Sequence, residues 1–217
     1  GPDELDISLL EKFGITKKYI LSVGTIEPRK NYVTLIKAFN YLKSSMKSLK
    51  NRNEKYSTAA IRNQTRNSGF DCQLVIVGRT GWLSEAAYTE YESSPFKDDI
   101  IFVGRIDDSE LVQIYNMAQL FVYPSIFEGF GLPVVEAMQC GLPVLASDTS
   151  SIPEIVDNKK LLFNPADEHE IAEKILKILS DGNLRVELSQ MALKNAEKFS
   201  WEKTARKTLE IYRSVLK

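Results

Sequence analysis

Little in this chain belongs to the residue types that hold metals or shuttle electrons: its 217 residues include two cysteines and one histidine. Cys72 and Cys140 lie far apart in no metal-ligand spacing, each in or beside an apolar pattern, and read as buried free thiols of a reducing compartment. His169 stands in Asp167-Glu168-His169-Glu170 at a helix start and reads as a surface residue. No metal and no cofactor are expected. No apolar run is long enough to cross a bilayer, and no basic start followed by an apolar core marks a signal peptide, so a soluble, cytoplasmic chain is expected. The formal charge of −1 lacks the basic excess of a general nucleic-acid binder. No Gly-x-Gly-x-x-Gly follows the first strand pattern, which disfavours a dinucleotide-dependent dehydrogenase. There is no internal repeat.

What is present is an ordinary globular composition, 43 % apolar and 26 % charged, with enough length to bury a substantial core. Apolar, β-branched runs at 19–23, 73–77, 100–103, 120–123, 143–146 and 161–163 alternate with helical periodicity over 31–49, 83–93, 109–118, 133–140 and 167–180. This alternation predicts an α/β fold: a doubly wound, mainly parallel sheet with helices on both faces. Two further helices, over 184–199 and 201–216, close the chain, the second capped by Ser200. Residues 1–18, opening on Gly1-Pro2, are expected to be a tag remnant and linker ahead of one domain over 19–217. Charge is uneven: residues 1–70 hold 13 Lys and Arg against 6 Asp and Glu, the remainder 15 against 23. Residues 44–69 are polar and read as an extension of the first long helix followed by a surface loop. Seven Lys or Arg and one Glu over 43–66 suit a solvated loop, or a contact with an anionic membrane surface or lipid phosphate at the inner face of the membrane.

Chemistry concentrates in Pro124-Ser125-Ile126-Phe127-Glu128-Gly129-Phe130-Gly131-Leu132-Pro133-Val134-Val135-Glu136-Ala137, where two glutamates bracket a glycine-rich turn. The turn follows a strand pattern and leads into a helix with Pro133 at its start, so it lies at the carboxyl end of a strand, where open α/β sheets bind ligands. Free helix amides there receive an anion, and the glycines admit close approach. The stretch reads as a site for a sugar joined to phosphates, with Glu128 in the turn and Glu136 one helical turn further on. Gly24, Gly78 and Gly104 each follow directly on a strand along the same sheet edge. After the first of them, Thr25-Ile26-Glu27-Pro28-Arg29-Lys30-Asn31 places two cations at the mouth of the sheet, suited to a diphosphate. Ser150 and Ser151 read as caps of the next helix.

Taken in order, Val23-Gly24-Thr25, Pro28-Arg29-Lys30-Asn31, Phe102-Val103-Gly104, Pro124-Ser125, Glu128 to Pro133, Glu136-Ala137, Gly141-Leu142-Pro143-Val144 and Pro153-Glu154-Ile155 resemble the carboxyl-terminal domain of GT-B glycosyltransferases, family 4 (group 1). The resemblance runs from about Tyr19 to the end and implies a one-domain Rossmann-like half of a GT-B fold that binds a nucleoside diphosphate sugar such as GDP-mannose or a UDP-hexose. It implies a retaining, metal-independent transferase moving a hexose to a hydroxyl acceptor in polysaccharide or glycoconjugate synthesis. Glu128, Arg29 and Lys30 would be the catalytic group. Gly24, Thr25, Gly129, Phe130, Gly131 and Leu132 would line sugar and phosphates, Arg105 and Ile106 the base, and Glu136 the ribose. Thr25 stands where the family usually carries an arginine, and Arg29 is the cation available to replace it. The acceptor, a glycan or lipid-linked sugar, would be held by an amino-terminal domain missing from this chain, leaving it inactive alone. A non-catalytic nucleotide-sugar module, or a GT-B phosphorylase or epimerase, are the alternatives.

Overall fold

The computed structural model describes residues 6–56 and 71–216. Six strands, β1 (Lys18–Val23), β2 (Cys72–Val77), β3 (Ile100–Gly104), β4 (Leu120–Tyr123), β5 (Val144–Ser147) and β6 (Leu162–Phe163), form one parallel sheet in the order β3-β2-β1-β4-β5-β6. The strands are nearly continuous apolar runs because helices cover both faces. Their side chains still sort by parity. Ile20, Leu74, Ile76, Leu120, Val122 and Leu145 enter one apolar layer; Leu21, Val23, Val75, Val77, Phe121, Tyr123 and Val144 enter the other.

The first layer is closed by helices α2 (Tyr32–Tyr56), α3 (Glu85–Ser93) and α7 (Glu168–Ser180). Leu35, Phe39, Leu42 and Met46 of α2, spaced four, three and four apart, face Ile171, Ile175 and Ile178 of α7 and the sheet. The second layer is closed by α4 (Asp108–Met117), α5 (Leu132–Gln139) and α6 (Ile152–Val156), through Ile114, Val134, Met138 and Ile155. Each fully buried apolar side chain contributes on the order of 1.5–3 kcal/mol. The core therefore fixes the sheet, and the sheet fixes the loops on its carboxyl edge.

Two expectations are modified and a third is met as far as the described residues reach. Residues 7–12, read as linker, form helix α1 (Ile7–Lys12), capped by Asp6, which accepts from the Ser8 amide at 2.9 Å. Leu9 and Ile15 are buried in the second layer, so this segment packs on the domain; six residues are too few to display a period. The polar extension of α2 is helical to Tyr56, and the loop expected after it, with Arg62 and Arg66, lies outside the described residues. Helix α3 begins at Glu85 rather than 83, because Leu83 takes a left-handed conformation (φ +47°). Beyond α8 (Gly182–Ala196), helix α9 (Trp201–Val215) starts where expected: Ser200 Oγ accepts from the Lys203 amide at 3.1 Å. No residue of α9 is buried. Among the described residues no helix is long and apolar enough to cross a membrane.

The strand order reverses between β1 and β4. From β1 the chain moves outward to β2 and β3, then returns to β4 on the other side. Loops leaving the carboxyl ends of these neighbours diverge, opening a crevice.

Candidate functional site

At that crevice the loop after β1 meets the turn after β4. Glu128 is the meeting point, and four donors converge on its Oε1: Lys30 Nζ at 2.6 Å, Ser125 Oγ at 2.7 Å, Tyr123 Oη at 2.8 Å, and Arg29 Nη1 in an ion pair at 2.8 Å. Lys30 also donates to Tyr123 Oη at 2.6 Å and is 7 % exposed, a burial that an ammonium tolerates only with such partners. Burial pushes the Glu128 carboxyl up, but hydrogen bonds from Lys30, Ser125 and Tyr123 outweigh it and hold the group below the usual carboxylate range. Burial first, then the neighbouring Glu128 charge, raise the Tyr123 phenol, so it stays protonated and donates.

The turn is stitched to both neighbours. On the β1 side, Ser125 Oγ, whose proton goes to Glu128, lies 3.0 Å from Arg29 O, the Ile126 amide donates to that carbonyl at 2.8 Å, and Asn31 Nδ2 to Pro124 O at 3.1 Å. On the β5 side, Ser147 Oγ donates to Ser125 O at 2.5 Å, and the Glu128 amide to Ser150 Oγ at 2.9 Å. Ser151 Oγ shares its one proton between Glu128 O and Phe130 O, at 3.0 and 2.8 Å. The expected capping role of Ser150 and Ser151 is thus corrected: Ser151 occupies the N-cap position of α6 yet makes no cap bond, because its hydroxyl is committed to the turn.

Two glycines are required by this geometry. A Cβ on Gly78 would lie 2.0 Å from Gly24 O, so the loops after β1 and β2 pass too closely for any side chain. Gly131, the N-cap of α5, has φ +112° and would bring a Cβ within 2.7 Å of Ile152 Cδ1. Among the described residues, no hydrogen bond occupies the amides of Gly129, Phe130 and Gly131. Just ahead of α5, these N–H groups can receive an anion.

Glu128, Arg29 and Lys30 are therefore in direct contact, with Gly24 beside the Lys30 stem and Gly129, Phe130, Gly131 and Leu132 continuing the turn into α5. Thr25 packs in the tight β1–β2 loop contact. Glu136 lies apart, exposed on α5, where its Oε2 accepts from Tyr115 Oη of α4 at 3.0 Å. Arg105 and Ile106 follow β3, two strands from β1 on the same edge, Arg105 exposed and Ile106 half-buried. Sequence reasoning missed Tyr123, Tyr115 and Glu27. Tyr123 ends an apolar strand run and Tyr115 falls inside a helical period, where neither draws notice, though a buried hydroxyl needs a partner; Glu27 stands two residues from Arg29, and that proximity is the signal it offers.

The model for the family described as glycosyl transferases group 1 matches residues 9–198. O-antigen chain mannosyltransferase B of Escherichia coli is 32 % identical over 208 residues, covering 95 % of this chain and 49 % of that protein. Serotype-specific mannosyltransferase WbdA of Escherichia coli is 34 % identical over 209 residues, 96 % of this chain and 23 % of that protein. Among solved structures, sucrose-phosphate synthase (tll1590) from Thermosynechococcus elongatus superposes with a TM-score of 0.74 at 25 % identity, over 97 % of this chain and 49 % of that one. The chain spans half or less of the length of these relatives. A six-stranded parallel sheet of GT-B type, a polar switch-point cluster and a family match over most of its length lead to one conclusion: this chain belongs to the group 1 glycosyl transferases, as the carboxyl-terminal half of a GT-B fold.

Proposed function

We propose that this chain is the donor-binding half of a retaining glycosyltransferase that moves a hexose from a nucleoside diphosphate sugar to a hydroxyl acceptor. The observation that carries the reading is Glu128, held ionised by Lys30, Arg29, Tyr123 and Ser125 at the β1/β4 crevice, beside the unoccupied amides of residues 129–131. Glu128 orients the sugar. As the glycosidic bond breaks, negative charge grows on the leaving diphosphate, and Lys30, Arg29 and the amides before α5 stabilise it. The donor's own phosphate, rather than a protein nucleophile, serves the retaining step. Glu136, with one oxygen fixed by Tyr115, offers the other to the ribose hydroxyls, while the backbone at Arg105 and Ile106 frames the base. Gly24 and Thr25 line the diphosphate, and Arg29 supplies the cation that Thr25 does not.

Two relatives named as mannosyltransferases favour mannose as the sugar and GDP-mannose as the donor, with an O-antigen-like glycan or lipid-linked acceptor at the inner face of the membrane. An amino-terminal domain holds that acceptor, so this chain binds donor but transfers poorly alone; metal and cofactor are not required. Calorimetric titration with GDP, UDP, GDP-mannose and a UDP-hexose tests the reading. Binding of one nucleotide, lost in Lys30→Ala, is expected; binding of none refutes it. Glu128→Ala in a chain carrying both halves is expected to abolish transfer, whereas intact transfer would indicate a different role for the turn.

A further inference from the structure

Arg29 is held from two sides. Its Nε pairs with Glu27 Oε1 at 2.6 Å, while Nη1 donates to Phe127 O at 3.1 Å and pairs with Glu128 Oε1 at 2.8 Å. Its other terminal nitrogen, Nη2, makes no hydrogen bond among the described residues. Glu27 is in turn anchored: Trp82 Nε1 donates to its Oε2 at 3.1 Å, and its side chain is only 11 % exposed. Trp82 sits in the loop after β2, which is tied to the β1 loop by Ile26 N to Arg79 O and Gly81 N to Ile26 O, both 2.9 Å. The next residue, Leu83, is 62 % exposed in a left-handed conformation, φ +47°. That conformation costs a leucine about 1–2 kcal/mol, and such strain clusters where a loop is held for a purpose. A 63 % exposed indole fixed by its N–H to a nearly buried carboxylate is a constraint on orientation rather than core packing.

We propose that Glu27 and Trp82 form a positioning pair that aims the Arg29 guanidinium, turning Nη2 toward the diphosphate of the donor. The proposal rests on the donor-binding reading. Glu27 contributes by holding Nε, so that the guanidinium plane is fixed before a ligand arrives; the hydrogen bond from Trp82 keeps the carboxylate from following Arg29. This role has a distinctive sign. If Glu27 acted only as a charge, removing it would tighten phosphate binding, because an anion near the phosphates would be gone. If it positions Arg29, removing it weakens binding.

The test uses the chain with Trp201→Phe, which leaves Trp82 as the only tryptophan. GDP and UDP are titrated by calorimetry and by tryptophan emission. The nucleotide that binds is expected to change Trp82 emission, through the Glu27–Arg29 link. Glu27→Ala is expected to weaken its binding about tenfold, the value of one charged hydrogen bond, and to abolish the emission change. Glu27→Gln keeps an oxygen for Nε and is expected to recover most of the affinity. Trp82→Phe, which keeps a ring and loses the N–H, is expected to weaken binding about threefold by calorimetry, and it serves if Glu27→Ala fails to fold. Unchanged or tighter binding by folded Glu27→Ala, or by Trp82→Phe, while the parent chain binds, overturns the positioning role and leaves the donor reading standing. Binding of neither nucleotide to the parent chain overturns both.

Discussion

Replacing Lys30 by methionine removes one charge of a nearly closed pair and keeps the volume of the stem. The Lys30 and Glu128 side chains are 8 % and 10 % exposed. Removing one partner of a buried pair costs about 3–5 kcal/mol because the other charge is left uncompensated. Here Glu128 keeps Ser125, Tyr123 and Arg29, so the loss falls to about 2–3 kcal/mol, or about 5–10 °C in Tm for a domain of this size. Glu128→Gln should cost a similar amount by stranding the Lys30 ammonium. The double variant should lose less than the sum, by about 1–3 kcal/mol, since neither charge then remains. Thermal and urea unfolding by circular dichroism at about pH 7 closes this cycle. The pH dependence follows from the depressed Glu128 carboxyl: its stabilisation is full above the ordinary value of 4.5 and is lost as pH falls through the lower folded value. The lead of the natural chain over Lys30→Met should therefore persist from about pH 7 to about pH 5 and shrink below that. Additive losses, or a lead unchanged at about pH 3, would refute the account of Glu128 as an ion held by Lys30.

Further outcomes follow from the same loops. Gly78→Ala should destabilise by more than about 3 kcal/mol or prevent folding, because the clash at 2.0 Å is with backbone that cannot swing aside; chemical denaturation reads the loss, and wild-type stability would contradict the loop geometry. Ser151→Ala should cost about 1–2 kcal/mol and speed hydrogen exchange of the Glu128 amide, which donates to Ser150 Oγ in the same turn, without unwinding α6, since the hydroxyl braces the turn and not the helix. Burial lifts the Cys72 thiol to about 11, so a thiol reagent at neutral pH should label Cys72 only at the rate of unfolding; rapid labelling in the native chain would place it elsewhere.

The sheet was legible because every strand is a short apolar run flanked by helical periods, and the parity of Ile20 against Leu21, or Leu74 against Val75, is a direct product of the pleat. Helix α1 was not, since six residues carry too little pattern, and Leu9 finds its place only against strands distant in sequence. The reach of α2 to Tyr56 was partly legible from its lysines and glutamate, which favour helix without marking a buried face. At the site, glycines and charged residues announced themselves by type. Their pairing did not: that Arg29 and Lys30 both meet Glu128 depends on β1 and β4 being neighbours, which strand order decides and local sequence does not. The bracing serines and tyrosines escaped for a related reason, since a hydroxyl suits a cap, a core or a cross-loop bond equally well until its surroundings are known.

The stitching of the turn by Ser125, Ser147, Ser150 and Ser151 bears on kinetics. Loops that must order themselves on association spend free energy and time in doing so. This turn already has its carbonyls and carboxylate bound to side chains from two neighbouring strand ends before any ligand is present. Capture should therefore be limited by encounter and by shedding water from the open amides, and differences in affinity among donors should appear in how fast they leave rather than in how fast they arrive.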